Sequence, residues 1–283
     1  KLTTMNKLLL INKPQNMTSF DVVAIVRKTL NIKKIGHTGT LDPNAEGLMV
    51  ILIDKATKAL PFLHLNRKEY VASLKLGIKT NTGDIWGNVI EEAEIPSLNN
   101  DTIINVLNSF IGKSMQTPPK VSAISVKGKR LYEYARNNEE VIIPEREIEI
   151  FEIECLRIDS EIHFRVQCSS GTYIRSLCED IASKLGTVGT MSKLTRTKIE
   201  MFSIENAYTI EQIRNHEFEF ESVDHALVYP KYEVENIDDV KNGKKIRIDS
   251  DEEMILLTHK NEVLAIYEKD EEQHTYRCLR GLW

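Results

Sequence analysis

The chain has 283 residues, of which 41% are apolar and 28% charged, with a formal net charge of −5. That is enough apolar residue for one large packed domain with a small companion, or for two medium ones. The longest continuous apolar run, Leu48–Ile53, falls far below the roughly eighteen residues of a membrane-spanning helix.

Lys1–Thr4 precede Met5, as a natural extension or a foreign remnant. Lys7–Asn12 has the pattern of a short buried strand that ends where Pro14 enforces a turn. Its apolar part, Leu8–Ile11, is too short for the core of a signal peptide, and none is expected. Thr18-Ser19-Phe20-Asp21 is a helix start, with Thr18 or Ser19 as cap and Asp21 favourable in the first turn. Val22, Ile25, Val26 and Leu30 follow at helical spacing. Lys33 and Lys34 then lead into the least ordinary stretch of the chain, Gly36-His37-Thr38-Gly39-Thr40-Leu41-Asp42-Pro43-Asn44-Ala45-Glu46-Gly47. Its three glycines permit close backbone approach, and its proline fixes the chain beside an aspartate. Such a loop, feeding the apolar strand Leu48–Ile53, is a rigid platform that can hold Asp42 at the mouth of a cleft.

Asp54–Leu60 is a candidate helical turn ending before Pro61. Tyr70–Leu76 alternates as a strand and stops at Gly77, turn chemistry follows at Thr80–Asp84, and Asn88–Ala93 is a further strand. Asp101 is expected to cap a helix with apolar face Ile103, Val106, Leu107 and Phe110 and a stop at Gly112. The double proline Pro118-Pro119 and the acid-free basic run Lys120–Arg130 suggest an exposed excursion. Ile162–Cys168 is a half-buried strand. After Ser169-Ser170-Gly171, Thr172 or a neighbour caps a helix striped by Ile174, Leu177, Cys178, Ile181 and Leu185. Thr209-Ile210-Glu211-Gln212 is a capping box. The stretch 217–240 is acidic, and a domain boundary is placed near Tyr229, before a small β module with strand-like runs Met254–Leu257 and Val263–Tyr267. Strands outnumber helices without a regular βαβ alternation, so the fold class is α+β with a mixed or antiparallel sheet.

Cys155, Cys168, Cys178 and Cys278 show neither C-x-x-C spacing nor a disulfide rhythm, which argues against zinc and for a reducing, cytoplasmic compartment. The net charge argues against a nucleic-acid partner on average. Local basic groups at Lys120–Arg130, at Lys193, Arg196 and Lys198, and at Lys241, Lys244, Lys245 and Arg247 still leave room for a polyanion. Asp42, Tyr70 and Arg175 stand at strand ends or in loops, where sites are built, although Tyr70 also fits a core position and Arg175 a helix surface.

A set of ordered blocks carries a resemblance. Asn12-Lys13-Pro14 with Met17-Thr18-Ser19, Gly36–Pro43 with Gly47-Leu48 and Ala56-Thr57-Lys58, Lys68-Glu69-Tyr70, and Leu76-Gly77 through Thr80, Thr82, Asp84 and Gly87 come first. Pro118-Pro119 with Ser122-Ala123, Gly128–Tyr132 with Ala135-Arg136, Cys168–Arg175 and Leu194–Thr197 follow. Together they resemble the TruB family of tRNA pseudouridine-55 synthases over about residues 8–215. The chain departs from that pattern at Asn16 and Asp54, where glycine is usual, at Val50, where proline is common, and at Asn81, where aspartate is usual.

The resemblance implies a pseudouridine synthase fold: a mixed, largely antiparallel sheet flanked by helices and loops, with a small C-terminal β-rich, PUA-like module. Residues 1–228 would be the catalytic domain, with a thumb-like insertion at about 117–144, and residues 229–283 the RNA-binding module. It implies Asp42 as the catalytic carboxylate. Tyr70 would stack on the uracil and help remove the C5 proton, and Arg175 would pair with Asp42. His37 would fill the space of the flipped base, while Tyr173 and Leu194 would line the pocket. The substrate would be the T-arm stem-loop of tRNA, with its target base extruded, with no cofactor, metal or membrane, and with the protein a monomer needing no obligate protein partner. A catalytically silent tRNA-binding protein of the same fold, an RNA-guided synthase and an aspartate-dependent hydrolase are the alternatives. The joint presence of Asp42, Tyr70 and Arg175 opposes the first, the short tail the second, and the want of a second suitable carboxylate the third.

Overall fold

The computed structural model describes residues 6–122, 124–137, 139–271 and 274–283. Lys1–Thr4 and Ala123 of the Ser122-Ala123 block lie outside the described residues. The chain divides into two compact units, Lys1–Leu65 with Glu200–Trp283, and Asn66–Ile199.

The first unit opens with β1 (Lys7–Lys13) and α1 (Ser19–Leu30). Thr18, not Ser19, is the cap: its side chain accepts from the Asp21 N–H, and Asp21 answers to the Thr18 backbone in a full capping box. The helix ends on Asn31 in the left-handed conformation, φ 53°. β2 (Ile35–His37) and β3 (Glu46–Ile53) enclose the glycine-rich loop. β3 pairs antiparallel with both β1 and β2. Its run from Leu48 to Ile53 is wholly buried, as an unbroken apolar strand requires. A 3-10 helix, Asp54–Phe62, follows and carries Pro61 inside it.

The second unit is a sheet of five antiparallel neighbours in the order β12–β4–β11–β10–β7, formed by β4 (Arg67–Leu76), β7 (Gly112–Gln116), β10 (Arg146–Ile158), β11 (Ile162–Ser169) and β12 (Gly189–Ile199). β11 alternates buried and half-buried residues along its whole length, the period-2 pattern of its sequence. Between β4 and β7 lie the hairpin of β5 (Ile78–Thr80) with β6 (Val89–Glu92), and α2 (Asn100–Asn108). Asn99, not Asp101, caps α2, because its Oδ1 reaches the Thr102 N–H at 2.8 Å. The excursion after Pro118-Pro119 holds a short hairpin, β8 (Ser125–Val126) with β9 (Lys129–Arg130), and α3 (Leu131–Arg136). α4 (Ile174–Lys184) buries Ile174, Leu177, Cys178 and Ile181 as their spacing predicts.

The chain then returns to the first unit with β13 (Phe202–Ser203), α5 (Ile210–Arg214) and β14 (Glu221–Ser222), which lies on the edge of β1. Thr209 and Gln212 form the predicted capping box of α5. The tail folds as β15 (Lys231–Glu233), α6 (Ile237–Lys241), β16 (Ile246–Arg247), β17 (Met254–His259), β18 (Glu262–Lys269) and β19 (Thr275–Gly281). Its sheet, in the order β15–β17–β18–β19–β16, packs a core of Val240, Ile255, Leu257, Ala265, Tyr267 and Tyr276. The β-rich C-terminal domain and the α+β class are therefore present. Among the described residues no helix is long and apolar enough to cross a membrane.

Candidate active site

The loop that carries Asp42 is pinned on both sides of that residue. Before it, the buried Ser19 hydroxyl accepts from the Leu41 N–H at 2.9 Å and donates to the Leu41 carbonyl at 3.2 Å. After it, the fully buried Lys13 ammonium donates to the Pro43 carbonyl at 3.1 Å, and also to Met17 and Pro14 at 2.7 and 2.8 Å. The Met17 N–H reaches Pro43 as well, and the Ala45 N–H closes a turn onto the Asp42 carbonyl at 3.1 Å. A lysine is buried here because three carbonyl dipoles replace its water, the condition under which a buried charge is tolerated. The block Lys13-Pro14 with Met17-Thr18-Ser19 thus serves as the clamp of the aspartate loop. His37 stands at the end of β2, where its Nδ1 accepts from the Gly39 N–H at 3.3 Å. Its ring meets Phe20 edge to face, with centroids 6.2 Å apart, and Phe20 is 76% exposed.

The other candidates belong to the second unit. Tyr70 is buried on β4 between Val166 of β11 and Arg196 of β12. Leu194 lies on β12 opposite Ala72, one turn of the pleat from Tyr70 on the neighbouring strand. Tyr173 is the residue at which α4 starts, without a side-chain cap of its own. A buried glutamine does that work from β7. Gln116 Oε1 accepts from the Tyr173 N–H at 2.8 Å, and its Nε2 donates to the Tyr173 carbonyl at 3.1 Å. The expected Thr172 hydroxyl instead faces Ser169 Oγ at 3.4 Å.

Arg175 is no helix-surface residue. It is 4% exposed and donates to the Thr82 carbonyl at 2.8 Å and the Val121 carbonyl at 3.0 Å, with an Asp84 carboxylate oxygen 4.0 Å away. Asp84 is itself held by the Thr82 hydroxyl and the Trp86 N–H. The guanidinium so ties α4 to the turn after β5 and to the base of the excursion after Pro118. It also lines a cleft of about 550 Å³ with Thr82, Gly83, Thr117, Pro118 and Glu179. Burial raises the Glu179 and Asp180 carboxyls above their ordinary range. Beside Tyr70, burial and then the Arg196 guanidinium push the Lys68 ammonium down to about 8. Among the described residues no group of three or more His, Cys, Asp or Glu side chains could hold a metal ion.

The model of the TruB family pseudouridylate synthase N-terminal domain matches residues 27–174, and that of the tRNA pseudouridylate synthase B C-terminal domain matches residues 175–230. This chain belongs to the TruB family. The tRNA pseudouridine synthase B of Clostridium tetani is 42% identical to it over 272 residues, 94% of this chain and 93% of that one. The enzyme of the same name from Alkaliphilus oremlandii is 51% identical over 211 residues, 74% and 70% of the two chains. Among solved structures, one of a Cbf5-Nop10-Gar1 complex matches with a TM-score of 0.72 at 23% identity, over 99% of this chain and 86% of that chain, a likeness of fold. As a member of a family of pseudouridylate synthases the chain is an isomerase.

Three of the four departures from the TruB pattern have a physical reading, and that at Val50 has none in the structure. Asn16 and Asp54 sit at φ 59° and 48°, the left-handed region that glycine enters freely and that Asn and Asp enter best among other residues. Asn81 uses its Oδ1 to accept the Asn88 N–H at 2.9 Å, a role that needs only an acceptor and so suits amide and carboxylate alike. What the sequence did not assign were the roles of Lys13, Ser19 and Gln116. The first two stood inside a quoted block, but their partners lie 30 and 22 residues away. Gln116 lies 57 residues from Tyr173, with no motif to mark it.

Proposed function

We propose that this chain is the tRNA pseudouridine synthase that isomerises uridine 55 of the T-loop, with Asp42 as its catalytic carboxylate. The observation that carries the reading is the pinned loop: a carboxylate whose neighbours on both sides are fixed by buried side chains is pre-organised for chemistry. In the reaction the N1–C1′ bond of the uridine breaks, the uracil turns, and C5 bonds to C1′. The C5 proton is lost and N1 regains one, so atoms and charge balance without a cofactor. Asp42 serves as nucleophile or as the charge that stabilises the departing sugar. Tyr70 stacks on the uracil and assists removal of the C5 proton, and Arg175 pairs with Asp42 to keep it ionised. His37 takes the place of the flipped base, and Tyr173 and Leu194 line the pocket.

The thumb-like insertion at about 117–144 contacts the RNA backbone, and residues 229–283 form a PUA-like RNA-binding module. Lys120, Lys127, Tyr132 and Arg136 along one groove of that insertion support the first assignment. Identity of 42–51% to two enzymes named tRNA pseudouridine synthase B supports tRNA as the substrate, and a monomer acting alone in the cytoplasm completes the proposal.

The test is an unmodified tRNA transcript incubated with the wild type and with Asp42→Asn, and pseudouridine mapped by carbodiimide-stop primer extension. The wild type gives one stop at position 55 and Asp42→Asn gives none. No T-loop stop with the wild type, or full turnover by Asp42→Asn, sinks the reading.

A further inference from the structure

Four cations of the basic runs visible in the sequence are seen to meet acids in the fold. Lys244 and Lys245 each meet a carboxylate at 2.5 Å, from Asp239 and Asp270. Lys129 meets Glu139 at 2.6 Å and Lys198 meets Glu69 at 3.7 Å, while Arg196 is buried. A different set of cations, which no run of sequence shows, is left without an Asp or Glu ion-pair partner in the first unit.

Lys34 precedes β2, Lys55 and Lys58 lie on the 3-10 helix Asp54–Phe62, and Arg280 comes from β19. Two bonds bring these segments together. The Lys34 carbonyl accepts from the Asp54 N–H at 2.8 Å, and Lys58 Nζ donates to the Trp283 carbonyl at 3.0 Å. Lys34 and Arg280 are exposed, and Lys55 and Lys58 half-buried. Among the described residues, no Asp or Glu side chain comes within 4.0 Å of any of the four. The cations feel one another: after burial, Lys55, Lys34 and Arg280 each lower the Lys58 ammonium, with Asp54 opposing them.

A concentration of positive charge without Asp or Glu ion pairs, on a chain of net charge −5, raises the free energy of the unliganded protein, and an anion placed there relieves it. A small anion meets one or two such groups. Four cations drawn from three separate segments suit a ligand with several successive charges, and a nucleic-acid backbone supplies one per nucleotide. We infer that Lys34, Lys55, Lys58 and Arg280 form a phosphate-backbone site for the RNA substrate, built jointly by the 3-10 helix and the last strand of the C-terminal sheet. The site acts on affinity and contributes no reacting group. It rests on the reading of RNA as substrate and deepens it by naming a surface that no linear basic run marks.

The test is the salt dependence of binding of unmodified tRNA, measured by filter retention from 50 to 200 mM KCl. The triple variant Lys34→Gln/Lys55→Gln/Arg280→Gln removes three cations and leaves the structural Lys58 bond in place. A control, Lys113→Gln/Lys231→Gln/Lys244→Gln, removes the same charge from lysines that are ion-paired. Each lost phosphate contact lowers the slope of log Kobs against log salt by about 0.9, so the first variant flattens it by about 2–3 and weakens binding at 50 mM by more than about tenfold. The control shifts the slope by less than about 1. Equal slopes for wild type and first variant, or equal flattening by both triples, overturn the inference, as does a wild type that binds no tRNA. Pseudouridine formation by the same wild-type preparation separates the two questions. Turnover with an unaltered slope in the variant overturns the backbone site alone. A flattened slope without any wild-type turnover supports the site and overturns the proposed reaction.

Discussion

Ser19→Ala separates the positioning of Asp42 from the stability of the helix that begins beside it. Ser19 is 2% exposed and Leu41 4%, and the hydroxyl makes two hydrogen bonds, at 2.9 and 3.2 Å, to the backbone of the residue before Asp42. Alanine removes both and leaves a buried N–H and C=O of Leu41 without that partner, a cost of about 1–3 kcal/mol. For a chain of this size that lowers the midpoint of thermal unfolding by about 2–6 °C. The loop is then held after Asp42 by Lys13 but released before it. With Asp42 in its proposed role, a shift of about 1 Å costs on the order of a hundredfold, so kcat falls about 10- to 100-fold while KM for tRNA changes less than about threefold. Thr18→Ala is the matched control. Thr18 is exposed and caps α1 through Asp21, and its loss costs about 1 kcal/mol of stability. It makes no side-chain bond to the aspartate loop among those described, and its kcat stays within about threefold of wild type. Single-turnover pseudouridine formation and thermal unfolding of both variants give the comparison. Equal losses of kcat in the two variants would refute the argument, because the loop would then depend on helix stability and not on the Ser19 contact.

Two further outcomes follow from the second unit. Gln116→Ala deletes both bonds to the Tyr173 backbone, which destabilises by about 1–3 kcal/mol in urea unfolding and raises KM for tRNA; Gln116→Glu keeps the acceptor for the N–H but sets a buried carboxylate oxygen against the Tyr173 carbonyl, and does not recover the loss. Lys68 has a folded-state value of about 8 against an ordinary 10.5, so the folded protein favours its neutral form and the unfolded chain its charged form. Its contribution is therefore a penalty that is absent above pH 10.5, grows as pH falls towards 8, and is complete below that. Lys68→Met should accordingly be more stable than wild type at pH 7 by about 1–3 kcal/mol, with the advantage shrinking as pH rises to 10, measured by urea unfolding at several pH values.

Much of the local structure was legible from residue type and spacing. The unbroken apolar run of β3, the period-2 alternation of β11 and the capping boxes of α1 and α5 each follow from backbone geometry acting within a few residues. The start of α2 was misread at Asp101 because Asp and Asn cap with equal chemistry, and only the backbone decides that Asn99 faces the free N–H groups. Arg175 was open between surface and site, because helix periodicity does not reveal that two carbonyls wait at Thr82 and Val121.

The sequence by itself determined the family, through ordered blocks no chance arrangement would repeat, and with the family the suspect aspartate. It also marked Asn16 and Asp54 as places where glycine is usual, and both adopt the positive φ that glycine enters freely. Tertiary structure alone decided what holds the aspartate loop, because a buried ammonium or hydroxyl takes whichever carbonyl the fold delivers, however distant in the chain. It also decided which charges remain available to a ligand. Runs such as Lys244-Lys245 look basic along the chain and are answered by acids in space, whereas Lys34, Lys55, Lys58 and Arg280 become a patch only when β19 meets the helix after β3. Coulomb interaction depends on distance in space, and sequence order does not encode it.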